Sequence, residues 1–218
     1  MLELKNVCKN YKEIKALDNV NLLINKGDYV SVTGNSGSGK STLLFVMSML
    51  ESIDEGKIYF NGVDYASMKE KECARLRNKH FGFVFQAFNL ENNYSVYENV
   101  EIPLLISGTN KNKIRKTVAE KLKMVGMYDR INSKAAALSG GEKQRVAIAR
   151  ALATNPEIIF ADEPCGNLDT LNSGKIMDIF RSLNEQGTTI VLVTHNLIDA
   201  RQANKQYFMS DGKLIKTE

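Results

Sequence analysis

The run Gly34-Asn35-Ser36-Gly37-Ser38-Gly39-Lys40-Ser41-Thr42 sets Gly34 and Gly39 with four residues between them, in the Gly-x4-Gly-Lys-Ser pattern. Glycines let successive backbone N–H groups turn inward around phosphate oxygens, and a helix starting there adds a favourable dipole. Lys40 would reach the terminal phosphates, and the Ser41 hydroxyl would ligate Mg2+. Ile158-Ile-Phe-Ala-Asp162-Glu163 ends an apolar run in two adjacent carboxylates. Asp162 suits magnesium, usually through water, whereas Glu163, beside the metal but not bound to it, is left to accept a proton from an attacking water. This chemistry is transfer of a nucleotide's terminal phosphoryl group to water. A second glycine turn opening a helix, Leu138-Ser139-Gly140-Gly141-Glu142, is another anion site on the same chain.

The elements that must position these groups are legible nearby. Tyr29–Gly34, Ile158–Asp162 and Thr188–His195 are β-branched runs that end where polar or glycine chemistry begins, the pattern of buried parallel strands. Helical spacing follows each, over Lys40–Leu50, Leu171–Leu183 and Leu197–Ala203, which is the rhythm of an α/β sheet. Leu2–Lys26 alternates in short pieces and Gly56–Gly62 is bounded by glycines, so an antiparallel β layer flanks the core. Ser210-Asp-Gly-Lys213 signals a C-terminal hairpin. Between Asn89 and Asn155 the strand signal disappears. Ile114, Val118, Leu122 and Val125 recur at helical spacing with Gly126 as a stop, and an alanine-rich helix over Val146–Ala153 ends at Asn155-Pro156.

Composition narrows the function classes. The 218 residues carry 29 basic and 25 acidic side chains, dispersed, for a net charge of +4. No basic run is interleaved with aromatics, which argues against a nucleic-acid surface. Cys8, Cys73 and Cys165 lack paired metal or disulfide spacing and read as reduced thiols of a cytosolic protein. No stretch approaches the roughly 18 apolar residues that span a bilayer, so work at a membrane would need a partner to hold the chain there.

The phosphate loop, the Leu138–Arg145 stretch about a hundred residues later and Asp162-Glu-Pro shortly after it resemble the ATP-binding subunit of an ABC transporter. The likeness covers the whole chain. It implies a single ABC ATPase domain over 1–218, with a core at about 1–88 and 156–218 and a helical subdomain at about 89–155. It implies bound ATP and Mg2+, and a head-to-tail dimer in which Ser139, Gly140 and Gly141 close over the nucleotide held by the partner's phosphate loop. Two anion sites on one chain then become halves of two shared sites. Tyr11 resembles the aromatic that stacks on adenine, Gln86 the glutamine that joins the magnesium shell with Ser41 and Asp162, and His195 the histidine that contacts the γ-phosphate. Gly166-Asn-Leu-Asp169 resembles the loop that touches the partner subunit. The chain departs from the usual pattern at Ala137, Cys165 and Asn196, none of them a phosphate or metal ligand, and Cys165 raises redox sensitivity if its thiol is exposed. His80 reads as structural.

Phe81–Leu90, Tyr97–Leu104 and the Gly166–Asp169 form are similar to the branch of lipoprotein-releasing, macrolide-export and antimicrobial-peptide-efflux ATPases. The resemblance implies a bacterial subunit, peripheral on the cytoplasmic face of the inner membrane. It would energise a membrane-spanning permease that exports a lipophilic or peptide-like cargo, docking near Gln86–Tyr97 on some of Phe88, Leu90 and Tyr94. Two alternatives stand beside it: a cell-division-type ATPase signalling across the membrane, and a soluble nucleic-acid-associated ABC ATPase. Only about fifty residues separate Gln86 from Ser139, too few for the long coiled coil of repair-type members.

Overall fold

In the first 60 residues, apolar side chains recur every second position and are buried: Leu2 and Leu4 on one strand, Val20, Leu22 and Ile24 on the next. That period of two makes a strand with one face on a core. The computed structural model describes residues 1–66 and 68–217, and its chain divides into two compact units, Met1–Arg77 with Asn184–Glu218 and Asn78–Leu183.

In the first unit β1 (Leu2–Tyr11), β2 (Ile14–Ile24), β4 (Glu55–Phe60) and β5 (Val63–Asp64) form an antiparallel sheet in the order β2-β1-β4-β5. β3 (Tyr29–Gly34) runs parallel to β8 (Thr189–Val193) on one side and β9 (Lys205–Ser210) on the other. β9 turns back antiparallel into β10 (Lys213–Lys216), so this sheet is mixed. Every residue of β8 is buried, as expected for a parallel strand covered on both faces. α1 (Lys40–Met47) follows β3 and buries Leu43, Leu44, Val46 and Met47. It stops short of Leu50, because Met49 adopts a left-handed conformation at φ 60°. α7 (Leu197–Ala200) also ends before the Ala203 expected from spacing.

In the second unit β6 (Phe81–Phe85) and β7 (Ile158–Asp162) pair in parallel, from Phe81 opposite Ile158 to Phe85 opposite Asp162. The unit also holds α3 (Val96–Ile106), α4 (Lys111–Met124), α5 (Gly140–Leu152), which packs on β6, and most of α6 (Thr170–Glu185). α4 buries Ile114, Val118 and Leu122 as their spacing requires, and Gly126 ends it at φ 65°. The alanine-rich helix starts earlier than Val146: a capping box between Ser139 and Glu142 sets its first turn at Gly140. Two helices were not legible from periodicity. α2 (Glu70–His80), most of it in the first unit, buries Cys73 and is otherwise mostly charged, and α3 carries Pro103 inside it. The Ser95-x-x-Glu98 capping box was the readable signal for α3. Among the described residues no helix is long and apolar enough to cross a membrane.

Candidate functional site

In the first unit the loop from Gly34 to Gly39 is wedged between two backbone segments. A Cβ on Gly34, at φ 148°, would lie 2.2 Å from the Met209 carbonyl oxygen, and one on Gly39, at φ 105°, 2.3 Å from that of Ala16. Both are backbone atoms, so only glycine fits, and the two contacts hold the loop in shape. α1 begins at its end with no side-chain cap and no acidic residue in its first turn. Its unpaired N–H groups are therefore an anion site that no group of its own side chains fills. Lys40 Nζ donates to the carbonyls of Gly34 at 2.8 Å and Asn35 at 2.7 Å, which holds the cation against the loop. The Ser38 hydroxyl is buried inside the loop with no hydrogen-bond partner, while Asn35, Ser36, Gly37 and Ser41 are exposed.

His195 reaches this loop by strand pairing. β3 and β8 match Val32 with Val193, and Thr194 N–H donates to Val32 O at 3.2 Å. The exposed His195 thus leaves its strand beside the residues that enter the phosphate loop. Asn196 caps α7 by accepting from Ile198 N–H at 2.8 Å, so that departure from pattern supplies the cap itself. Tyr11 closes β1 and is 42% exposed.

The second unit gathers the other candidates. Because β6 and β7 end in register, Gln86 and Glu163 follow side by side beyond Phe85 and Asp162. Glu163 has φ 46°, a conformation that a non-glycine side chain resists and that functional sites retain. Gln86 Nε2 donates to Asn167 Oδ1 at 3.2 Å, and Asn167 Nδ2 donates back to Gln86 O at 3.1 Å, clasping the Gly166–Asp169 loop. Asp169 accepts from the backbone and side chain of Asn172, at 2.8 and 2.7 Å, and the backbone N–H of Asn172 holds its carboxyl below the ordinary aspartate value. Asn172 also lies against the other glycine turn, where a Cβ on Gly141 would come within 2.5 Å of its Oδ1.

That turn differs from the phosphate loop in one respect. Ser139 accepts from Glu142 N–H, and the Glu142 carboxylate accepts from Ser139 N–H at 2.9 Å and Oγ at 3.0 Å. The backbone hydrogen bond from Ser139 is the main reason the Glu142 carboxyl is held below its usual range. One helix start carries its own carboxylate; the other carries none.

Gln144 is a residue whose role sequence spacing did not assign. Fully buried, it donates through Nε2 to Pro164 O at 2.7 Å and to Phe85 O at 3.3 Å, joining α5 to the ends of both strands. Its signal was a polar side chain in phase with buried Gly141, Ile148 and Ala151 on one helix face. Arg150 likewise donates to the carbonyls of Phe88 and Asn89, which fixes a loop whose two residues sit at φ 60° and 51°. Cys165 is buried and its thiol points to Ser173 O at 3.8 Å, so it packs instead of presenting a reactive group. His80 pairs with Glu157 at 2.5 Å.

Among the described residues no group of three or more His, Cys, Asp or Glu side chains is placed to hold a metal. The donors present, a hydroxyl, an amide and a carboxylate, are hard oxygens of the kind magnesium takes when phosphate and water supply the rest.

Residues 17–166 match the family model described as ABC transporter. The chain is 42% identical over 215 residues to the lipoprotein-releasing system ATP-binding protein LolD of Aquifex aeolicus, covering 99% of this chain and 96% of that one. It is 44% identical over 219 residues to the macrolide export ATP-binding/permease protein MacB of Chlorobaculum tepidum, covering 99% of this chain but 34% of that longer protein. Among solved structures, the dimeric post-hydrolysis state of the ATP-binding cassette MJ0796 bound to ADP and Pi superposes with a TM-score of 0.91 at 42% identity, covering 100% and 99% of the two chains. With a glycine-walled phosphate loop, an α/β fold shared with that cassette and full-length relatives, the chain belongs to the ABC transporter family, as an ATP-binding, ATP-hydrolysing subunit of the lipoprotein-release and macrolide-export branch.

Proposed function

We propose that this subunit binds ATP with Mg2+ and, as a nucleotide-dependent head-to-tail dimer, drives a membrane-spanning permease that exports a lipophilic or peptide-like cargo. The uncapped start of α1 beneath Lys40 supports this reading most directly, because it offers backbone donors and a cation to the terminal phosphates. Gly34 to Thr42 hold the phosphates, Tyr11 receives the adenine, and Ser41, Gln86 and Asp162 hold the magnesium, which neutralises charge on the β- and γ-phosphate oxygens when bound. Glu163 orients the attacking water and accepts its proton as the bond between the γ-phosphorus and the β–γ bridging oxygen breaks and ADP leaves. His195 donates to the γ-phosphate. Ser139, Gly140 and Gly141 meet the γ-phosphate held by a second copy, and Asp169 with its loop faces that copy.

The domain runs through 1–218, with the helical insertion at about 89–155 serving as the docking side for the permease. Tyr94 is 47% exposed and Phe88 and Leu90 are half-buried, a surface suited to an apolar helix from a membrane partner. The subunit then works as a peripheral protein on the cytoplasmic face of a bacterial inner membrane. Charged replacements at all three positions are expected to stop co-purification of the permease, and unimpaired co-purification would exclude this docking side.

The deciding experiment is the solution mass of Glu163→Gln protein, by light scattering, with and without ATP and magnesium. A monomer-to-dimer shift with ATP, absent in Lys40→Ala, is the expected result. Normal turnover by Glu163→Gln would remove that residue from its role, and a nucleotide-independent mass would remove the shared site.

A further inference from the structure

Lys9 is a lysine covered by its own carboxylate partners at the edge of the first unit. It is 6% exposed, and its Nζ lies 2.9 Å from Glu51 Oε1, 3.8 Å from Asp54 Oδ1 and 3.4 Å from Ser52 Oγ. The same ammonium stands 5.4 Å from the centroid of the Tyr11 ring. The segment carrying the carboxylates is tied to β1 on both sides of Lys9: Asp54 N–H donates to Cys8 O at 3.0 Å, and Asn10 N–H donates to Asp54 Oδ2 at 2.6 Å. Burial pulls the Lys9 ammonium down, but the hydrogen bond and charge of Glu51, with the charge of Asp54, hold it above the ordinary lysine value. The Tyr11 phenol in turn helps to keep the Glu51 carboxyl low, after Lys9 as the chief cause.

Covering a charged lysine from water calls for paired carboxylates, and an apolar side chain would fill the space without them. What the cation adds is contact with one face of Tyr11. With that face taken and the residue 42% exposed, the open surface of the ring is the one turned away from Lys9. A cation on one face also draws π density from the other, which reduces repulsion towards an electron-rich purine.

We propose that Lys9, anchored by Glu51 and Asp54, is a positioning residue for the nucleotide base: it holds Tyr11 with its outer face set to receive adenine. The inference rests on the reading of Tyr11 as the adenine platform. It also links the two ends of one helix, since α1 meets the phosphates at its start and the segment after it, through Glu51, fixes the base platform.

The test compares affinity for ATP with affinity for tripolyphosphate, both with magnesium, by calorimetry on Lys9→Met, Lys9→Arg, Glu51→Gln and Tyr11→Leu proteins. Lys9→Met is expected to weaken ATP about five- to tenfold and leave tripolyphosphate unchanged, with Lys9→Arg restoring most of the loss. Glu51→Gln, which keeps a hydrogen-bonding group, is expected to show a smaller loss of the same base-dependent kind, and it serves if Lys9→Met does not fold. An equal loss of both ligands would make Lys9 merely structural and overturn the proposal. An unchanged ATP affinity in Lys9→Met beside a loss in Tyr11→Leu would overturn it while leaving the platform intact. An unchanged ATP affinity in Tyr11→Leu would remove the platform, and the role of Lys9 with it.

Discussion

Replacing Gln144 with glutamate would convert one buried amide into a pH-dependent defect. The amide nitrogen donates to Pro164 O at 2.7 Å and Phe85 O at 3.3 Å from a fully buried site. A protonated glutamic acid can still donate to one of these carbonyls, whereas an ionised one donates to neither and sets its charge against two oxygen dipoles. Burial and those dipoles would raise the folded-state pKa by about 2 to 2.5 units above the ordinary glutamate value near 4.3. For a carboxyl raised on folding, stability is intact below the unfolded value and falls as pH rises towards the folded one. At about 1.4 kcal/mol per unit, the variant would lose about 3 kcal/mol in full, of which about 2 kcal/mol develops between pH 5 and 8. Urea unfolding of both proteins by circular dichroism across that range reads the difference directly. A difference that stays constant with pH would show that the site is wet or that Gln144 is not the donor joining the strand ends.

Other consequences can be checked one by one. Gly34→Ala would drive a Cβ to 2.2 Å from Met209 O, so it should cost about 2 to 4 kcal/mol in thermal or urea unfolding and remove ATP binding by calorimetry; a fully stable, ATP-binding variant would contradict the wedged loop. Glu142 has a carboxyl depressed by Ser139, so its contribution is present above the usual glutamate pKa and disappears as pH falls through the lower folded value. Glu142→Gln should therefore flatten the acid limb of the stability curve below about pH 5 relative to the wild type, and an unaltered limb would remove the capping box as its source.

Much of the phosphate loop was legible because its chemistry is contiguous. Gly34 to Thr42 place the donors, the cation and the hydroxyl within nine positions of one chain segment, and the need for glycine is written at 34 and 39 themselves. Ser139 and the following helix start were legible for the same reason, as were the strand that carries Asp162 and the one that ends just before His195. The helices at 70–80 and 96–106 were not, because a mostly charged face and an internal proline leave no apolar stripe to count.

The sequence by itself determined which residues are candidates for phosphate and metal, in what order they come and that they sit at strand and helix ends. Tertiary structure alone decided what holds them there. That Met209 and Ala16 wall the loop, that Gln144 joins two strand ends and that Lys9 backs the ring of Tyr11 all depend on residues far apart in the chain. Pattern and propensity describe neighbours along the chain, whereas burial and hydrogen-bond geometry exist once distant segments pack together.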